Sequence, residues 1–186
     1  GLETANDLSA GDLVINGISI RGTVDDDDDL SVYAKSASAI AAAAAINAST
    51  DETGVVATVG ETTKIGGAMT AAALTGSVTI NGITTASITT TTDAAASRVL
   101  IVDAINLISE ATGVTAADTG DSNGGVTLTA ADGRNISVAL TTITAAASGL
   151  VAGTQSGTYS LRSTDSSDIT ISSAKADSAA ALEKAG

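Results

Sequence analysis

The sequence has no histidine and no cysteine, and these two absences exclude much catalytic and metal-binding chemistry. Without imidazole there is no histidine base, no Ser-His pair and no histidine metal ligand. Without thiols there is no thiol catalysis, disulfide, zinc-thiolate site or iron–sulfur cluster. An enzyme would need paired carboxylates that meet in a cleft, and no conspicuous pair stands out. We therefore expect a non-enzymatic protein with no catalytic residue and no cofactor.

Aromatic rings and positive charges are also scarce. Trp and Phe are absent, and Tyr33 and Tyr159 are the only aromatic residues, so the usual stacking platforms for bases or sugars are missing. Eight basic residues against 21 acidic ones give a net charge of −13, which repels nucleic acid and anionic lipid. No apolar run approaches the roughly 20 residues that a membrane span needs. The sequence thus predicts neither a nucleic-acid nor a membrane partner.

The apolar residues that remain are small, and proline is absent. Ala, Ile, Val and Leu must form the core, which favours two-layer lobes over a thick globule in a chain of 186 residues. The N-terminus, Gly1-Leu2-Glu3, has neither an initiator Met nor a basic segment followed by an apolar one. We therefore expect an excised fragment without a signal peptide.

A module occurs twice in the chain. Residues 11–18 (GDLVINGI) return as residues 76–83 (GSVTINGI), and each copy leads to an Ala-rich segment that ends in Ile-Asn and then Thr-Gly-Val. Gly54 lies seven positions after Asn47, and Gly113 lies seven positions after Asn106, whereas the two asparagines of a copy are 31 positions apart in one and 25 in the other. Fixed spacing within elements and variable spacing between them indicates a duplicated supersecondary unit.

Local signals predict hairpins at three turns. Asn16-Gly17 and Asn81-Gly82 each interrupt alternating apolar residues, and Asn-Gly supplies the two positive φ angles of a type I′ turn. Asp132-Gly133 lies between the alternating segments 126–129 and 136–140, which predicts a further hairpin. The tail should return to strand at 159–162 and 169–171.

Two helices are predicted between these strands. The first should run from about Val32 to Asn47, and the second should begin after the N-cap Asp93 and end near Thr112, with Gly113 in the left-handed position. The predicted buried stripes are Tyr33, Ala37, Ile40 and Ala44 in the first helix, and Ile101, Ile105 and Ile108 in the second. A short helix over 177–185 closes the chain.

The predicted fold class is α+β. It comprises two similar small lobes, each a hairpin-containing antiparallel sheet packed on one Ala-rich helix. Residues 1–74 form the first lobe and 75–150 the second, while 151–186 supply return strands and the short helix that complete the lobes. Residues 11–59 should superpose on 76–118, which pairs Asn16 with Asn81 and Ile46 with Ile105.

Several polar groups of the sequence are candidate sites. Asp25, Asp27 and Asp29, in a run of five aspartates, are weak candidates for a calcium site, but adjacent carboxylates diverge and no Gly bends the run, which favours a solvated acidic loop. The loop 118–124 likewise lacks the calcium register. Ser172 and Lys175 match the Ser-x-x-Lys pattern of acylating enzymes. That pattern places the Lys one helical turn from the Ser, whereas these residues follow a predicted strand, so we attribute the match to chance. The sequons at Asn47 and Asn135 are better explained as structural amides.

The duplicated module resembles the flagellin hook "IN" motif of bacterial flagellar proteins, namely Ile-Asn-Gly-Ile, an Ala-rich helix ending in Ala-Ile-Asn, and Thr-Gly-Val. Residues 128–136 (LTAADGRNI) resemble a stretch that often follows this motif in flagellins. The two modules cover most of residues 11–140. Neither end of the chain shows the long heptad pattern of the segments that build a filament core.

The resemblance implies the central, surface-exposed variable region of a flagellin, a secreted structural protein located outside the cell in the flagellum. Its implied partners are other flagellin subunits, and in this family Ser and Thr of such regions sometimes carry O-linked glycans. Two alternatives remain open at this point. One is a domain of a filament-cap or hook-associated protein, and the other is a carbohydrate- or surface-binding adhesin module.

Overall fold

The computed structural model describes residues 7–176, and it confirms the α+β class with 24% helix and 28% strand. The helices are α1 (Ala39–Asn47), α2 (Thr50–Thr53), α3 (Ala94–Asn106), α4 (Ser109–Thr112) and α5 (Ala145–Ser148). The strands are β1 (Val14–Ile15), β2 (Ile18–Ser19), β3 (Val55–Val59), β4 (Thr62–Lys64), β5 (Thr75–Ile80), β6 (Ile83–Thr84), β7 (Ile88–Thr89), β8 (Thr115–Asp118), β9 (Val126–Ala130), β10 (Ile136–Thr141), β11 (Gly153–Gln155), β12 (Tyr159–Ser163) and β13 (Ile171–Ser172). The helix predicted over 177–185 lies outside the described residues.

The chain divides into two compact units. Lobe one consists of residues 7–61, 132–135 and 156–176, and lobe two consists of Thr62–Ala131 and Ile136–Gln155. The boundary after the first copy thus lies between 61 and 62, whereas the sequence prediction placed it between 74 and 75. The reason is that β4 pairs with β9, a strand of lobe two.

Lobe one holds the first copy of the module. β1 and β2 form a hairpin, β13 pairs with the free side of β1, and β12 pairs along the whole of β3. Helix α1 packs against β3. The buried residues of this core are Leu8, Leu13, Ile15, Ile20, Ala42, Ala43, Ala45, Ile46, Val55 and Ala57. Alanine is common among them because α1 presents almost only alanine, which lets the helix lie close to the strand.

Lobe two holds the second copy. One sheet has the strand order β11-β10-β5-β6, with β7 also paired to β5, and a second sheet has the order β4-β9-β8. Helix α3 packs against β7 and β8. The buried core is larger than that of lobe one and includes Val78, Ile80, Ile101, Ile105, Val114, Val126, Leu128, Ile136 and Leu150. No helix in the described part of the chain is both long and apolar enough to cross a membrane.

Both Asn-Gly pairs form type I′ turns. The φ angles are 50° and 82° at Asn16 and Gly17, and 48° and 84° at Asn81 and Gly82. Each turn closes a hairpin, in which Ile15 pairs with Ile18 and Ile80 pairs with Ile83. The left-handed backbone required at these positions explains why Asn and Gly occupy them.

The first helix is shorter than predicted, and its predicted stripe was wrong. Helix α1 begins at Ala39, because Ser38 caps it by accepting a hydrogen bond from the Ala41 N–H and Ala34 has a left-handed φ of 52°. Tyr33 lies outside the helix and is exposed, while the other three stripe residues are half-buried. The face that is buried instead carries Ala41, Ala42, Ala45 and Ile46.

The second helix matches its predicted ends more closely. Asp93 caps α3 by accepting hydrogen bonds from the N–H groups of Ala95 and Ala96. The helix stops at Asn106, and the separate turn α4 carries the chain to Gly113, whose φ is 71°. Ile101 and Ile105 are fully buried, whereas Ile108 is only partly buried at the edge of the core.

The hairpin predicted at Asp132-Gly133 was wrong. β9 pairs with β4 and β8, while β10 pairs with β5 and β11, so the flanking strands belong to different sheets. Gly133 does have a positive φ of 79°, but its Cα faces Val59 and Gly60 of lobe one at a distance that leaves no room for a Cβ. Packing of this loop within lobe one therefore overrides the local turn signal.

Candidate functional site

The asparagine at the end of each main helix binds the following strand with both atoms of its amide. In lobe one the Asn47 Nδ2 donates to the Ala57 carbonyl (3.0 Å), and its Oδ1 accepts from the Ala57 N–H (2.8 Å). In lobe two Asn106 makes the same two bonds to Ala116, at 3.0 and 2.8 Å. A single side chain thus satisfies one donor and one acceptor of the strand backbone.

The asparagine of each hairpin turn joins two further segments. The Asn16 Nδ2 donates to the Thr53 carbonyl (2.8 Å), and its Oδ1 accepts from the Thr170 N–H (2.8 Å). The Asn81 Nδ2 donates to the Thr112 carbonyl (3.1 Å), and its Oδ1 accepts from the Ser137 N–H (2.8 Å). Each turn asparagine therefore connects its hairpin to the last residue of α2 or α4 and to a later segment of the chain, either strand β10 or the residue just before β13.

The Thr-Gly-Val segment completes the arrangement. Gly54 and Gly113 end α2 and α4 in the left-handed conformation, and each N–H returns to a carbonyl four residues earlier at 2.8 Å. The hydroxyls of Thr53 and Thr112 accept from the N–H groups of Val55 and Val114 at 3.2 Å. The asparagines of the repeat, and the Thr and Gly of its Thr-Gly-Val segments, thus make matching hydrogen bonds in both lobes.

These paired networks hold neutral amides and hydroxyls that are already bonded to backbone groups. Asn47 of the first sequon is engaged in this way, and Asn135 of the second is buried. The Asn135 Nδ2 donates to the carbonyls of Tyr33 (3.0 Å) and Ala34 (2.9 Å), while its N–H donates to the Ser31 hydroxyl. The arrangement supplies architecture rather than a nucleophile or a proton donor.

The acidic run does not bring its three candidate ligands together. The carboxylate of Asp27 forms a two-pronged pair with Arg21, whose hydrogen bond lowers the pKa of Asp27 despite partial burial. Asp25 accepts from the Ser36 N–H (3.0 Å), and Asp29 is exposed. In the part of the chain that the structure describes, no three acidic side chains are grouped as a metal site would require.

The fourth aspartate of the run contradicts the solvated-loop interpretation, because Asp28 is fully buried. Burial acts to raise the pKa of Asp28, but the neighbouring hydroxyls of Ser31 and Ser38 and the N–H groups of Ser31 and Leu30 outweigh it, and the net pKa is lowered. Its Oδ1 accepts both N–H bonds, at 2.8 Å from Leu30 and 2.9 Å from Ser31. Asp28 thus remains ionised and fixes the segment that leads into α1.

Two buried cations in lobe two were also missed from the sequence. Arg98 of α3 is buried and forms an ion pair with Asp118 at the end of β8. The Gly120 N–H and this arginine lower the pKa of Asp118, which ties the loop 118–124 to α3. Lys64 of β4 is buried, and burial lowers its pKa. The available signal was slight, since each basic residue follows a hydroxyl residue and precedes an apolar one, Val99 or Ile65.

The remaining sequence candidates lie in local strands, turns and ion pairs. Ser172 lies on β13, and the Nζ of Lys175 lies 3.8 Å from the Oδ1 of the buried Asp12. Asp132 pairs with Arg134 within the 132–135 loop. The Asp121 carboxylate accepts from the Asn123 N–H in its own turn. Each carboxylate of these loops is thus used locally, as a turn or an ion pair.

Comparison with known proteins adds no assignment. No protein-family model matches the chain, and no curated protein shows significant sequence similarity to it.

Proposed function

We propose that this chain is a surface-exposed structural domain of the bacterial flagellar filament, equivalent to the variable region of a flagellin. In this role it contributes to the filament surface and to motility rather than to catalysis. The observation that carries the proposal is the duplicated asparagine network. Asn16 with Asn47, and Asn81 with Asn106, occupy matching positions and make matching backbone hydrogen bonds, so the residues of the flagellar-type motif are the ones that hold each lobe together.

The path of the chain supports a role as a projecting module. The strand β13 pairs antiparallel with β1, with Val14 opposite Ser172 and Ile15 opposite Ile171. Early and late parts of the described chain therefore lie side by side at one sheet. A domain carried outward by a parent protein needs this arrangement, because its connections must enter and leave together. The net charge of −13 suits a hydrated outer surface.

The proposal is tested by locating the chain on intact flagella. Antibodies raised against the 186-residue chain, applied with gold labels in electron microscopy, should decorate filaments of the source organism along their whole length. Filaments from a strain that lacks the corresponding gene segment are the control. Label confined to the distal tip would support a cap protein, and label confined to the hook junction would support a hook-associated protein. Unlabelled flagella would overturn the proposal.

A further inference from the structure

The two lobes differ on one face of their main helices. Alignment on Asn47 and Asn106 matches Ala41 with Leu100 and Ala45 with Ala104. Ala41 and Ala45 are fully buried, whereas Leu100 is 41% exposed and Ala104 is only half-buried. In lobe one the turn at Asp25–Asp27, within the longer connection, packs against α1. Lobe two has the shorter connection and lacks an equivalent turn.

The uncovered face of α3 forms a groove of about 400 Å³. Its apolar lining includes Ile88, Leu100, Ala104, Leu107 and Ile108, and its carboxylate is Asp103. Leu107 is 85% exposed, which is unusual for a large aliphatic side chain at the end of a helix. Asp103 is exposed as well, so the groove combines an apolar floor with a negative charge.

Lobe one carries a surface with the opposite character. In the segment 30–35, Leu30 is 42%, Val32 is 51% and Tyr33 is 49% exposed. Lys35 follows two residues later and is half-buried. Asn135 fixes the backbone of this segment, since its amide donates to the carbonyls of Tyr33 and Ala34. The segment is thus a preformed apolar projection with one adjacent positive charge.

The charges of the basic residues indicate which surface of a second copy could bind the groove. Copies of a chain with a net charge of −13 repel one another, so a contact between them is favoured where it pairs a basic side chain with a carboxylate. Among the described basic residues, three arginines and Lys175 already form ion pairs, and Lys64 is buried. Lys35 and Arg162 remain, and Lys35 is the one that adjoins the exposed Val32 and Tyr33.

We propose that the groove of one copy binds the segment 30–35 of a second copy, with Tyr33 and Val32 against Leu100 and Leu107 and with Lys35 opposite Asp103. The two surfaces differ, so the contact is heterologous, and each bound copy leaves one groove and one segment available. A contact of this size is weak in free solution. The inference concerns self-association of the chain and stands apart from the filament assignment, so either can fail while the other holds.

The test is sedimentation equilibrium of the whole 186-residue chain, at loadings up to about 1 mM, the weak end of specific association. Association that increases with concentration is expected. Leu107→Ser and Tyr33→Ser should each weaken it about tenfold or more, since anchors of a small interface carry most of its affinity. Val99→Ser is the matched control, because Val99 is exposed on the same helix but does not line the groove.

A charge exchange tests the predicted pair. Asp103→Lys alone and Lys35→Glu alone should each reduce association, and the double variant should restore it. Circular dichroism of each variant establishes that it is folded, and all five substituted side chains are partly or well exposed in the structure. A chain that remains monomeric at the highest loading would overturn the proposal. Equal loss in Val99→Ser, or no recovery in the double variant, would overturn it as well.

Discussion

At the scale of single residues, the chain depends on the neutral amide of asparagine. Asn47 and Asn106 each donate to a strand carbonyl and accept from the N–H of the same residue, so both atoms of the amide are needed. Aspartate would have no donor for that carbonyl at neutral pH, and glutamine would place its amide one carbon farther out. The repeat therefore keeps asparagine at these positions for geometry rather than for chemistry.

Substitution of the helix-end asparagine should destabilise lobe two. Asn106→Ala leaves the N–H and carbonyl of Ala116 without their partner, so we expect a loss of about 1–3 kcal/mol in the free energy of unfolding. Urea unfolding followed by circular dichroism measures the loss. Asn123→Ala is the control, because the Asn123 side chain donates a hydrogen bond to Asp121 within an exposed turn. Equal midpoints for Asn106→Ala and the native chain would contradict this role.

Asp28 should make stability depend on pH in the acid range. Its folded pKa is lowered, against an unfolded value of about 3.9, so its contribution is complete above pH 4 and is lost as the pH falls through the folded pKa. The native chain should therefore exceed Asp28→Asn in stability at pH 6, and this difference should shrink below about pH 4. The exposed Asp26 provides the control Asp26→Asn, which removes one carboxylate of the same run without touching a buried side chain. If the difference in stability between the native chain and Asp28→Asn does not change with pH, Asp28 is not the titrating group.

At the scale of elements, the matched helices bury matched isoleucines. Ile46 of α1 and Ile105 of α3 precede the helix-end asparagines, and both are fully buried. Ile105→Ala should cost about 2–5 kcal/mol, the usual range for such a core truncation. Ile46→Ala should fall in the same range, whereas Leu107→Ala, at a well exposed site, should change the unfolding midpoint little. An unchanged unfolding midpoint for Ile105→Ala would show that α3 does not contribute to the core.

The sequence was informative where structure is decided locally. Asp93 and Gly113 act through bonds to near neighbours, and both ends of the second helical region followed from them. The sequence pattern was misleading where contacts with distant segments determine the local structure. The Asp132-Gly133 turn is typical of a hairpin, but Asn135 binds Ser31, 104 residues away in sequence. The same distant contact lies beside Asp28, so no local pattern could distinguish the buried aspartate among five.

At the scale of the whole molecule, charge sets the response to ions. Asp27 and Asp28 are engaged and separate the exposed Asp25 and Asp26 from the exposed Asp29, so calcium should gather only loosely near these three carboxylates. Calorimetric titration should give no saturable micromolar site, and added sodium chloride should displace the cations, since screening acts within about 8 Å at physiological ionic strength. A saturable site that Asp25→Asn and Asp29→Asn together abolish would show that the run is a metal site.

The interleaving of the chain between the lobes also fixes the order in which they can be finished. Lobe two receives its last strand, β11, at Gln155, whereas lobe one needs β12, which pairs with β3, and β13, which pairs with β1. The lobe that starts first along the sequence is therefore closed last, through contacts of very large sequence separation. Such closure slows folding, because loop entropy must be lost before the contacts form. During refolding, lobe two can reach its native form before the first copy of the module has paired with β12 and β13.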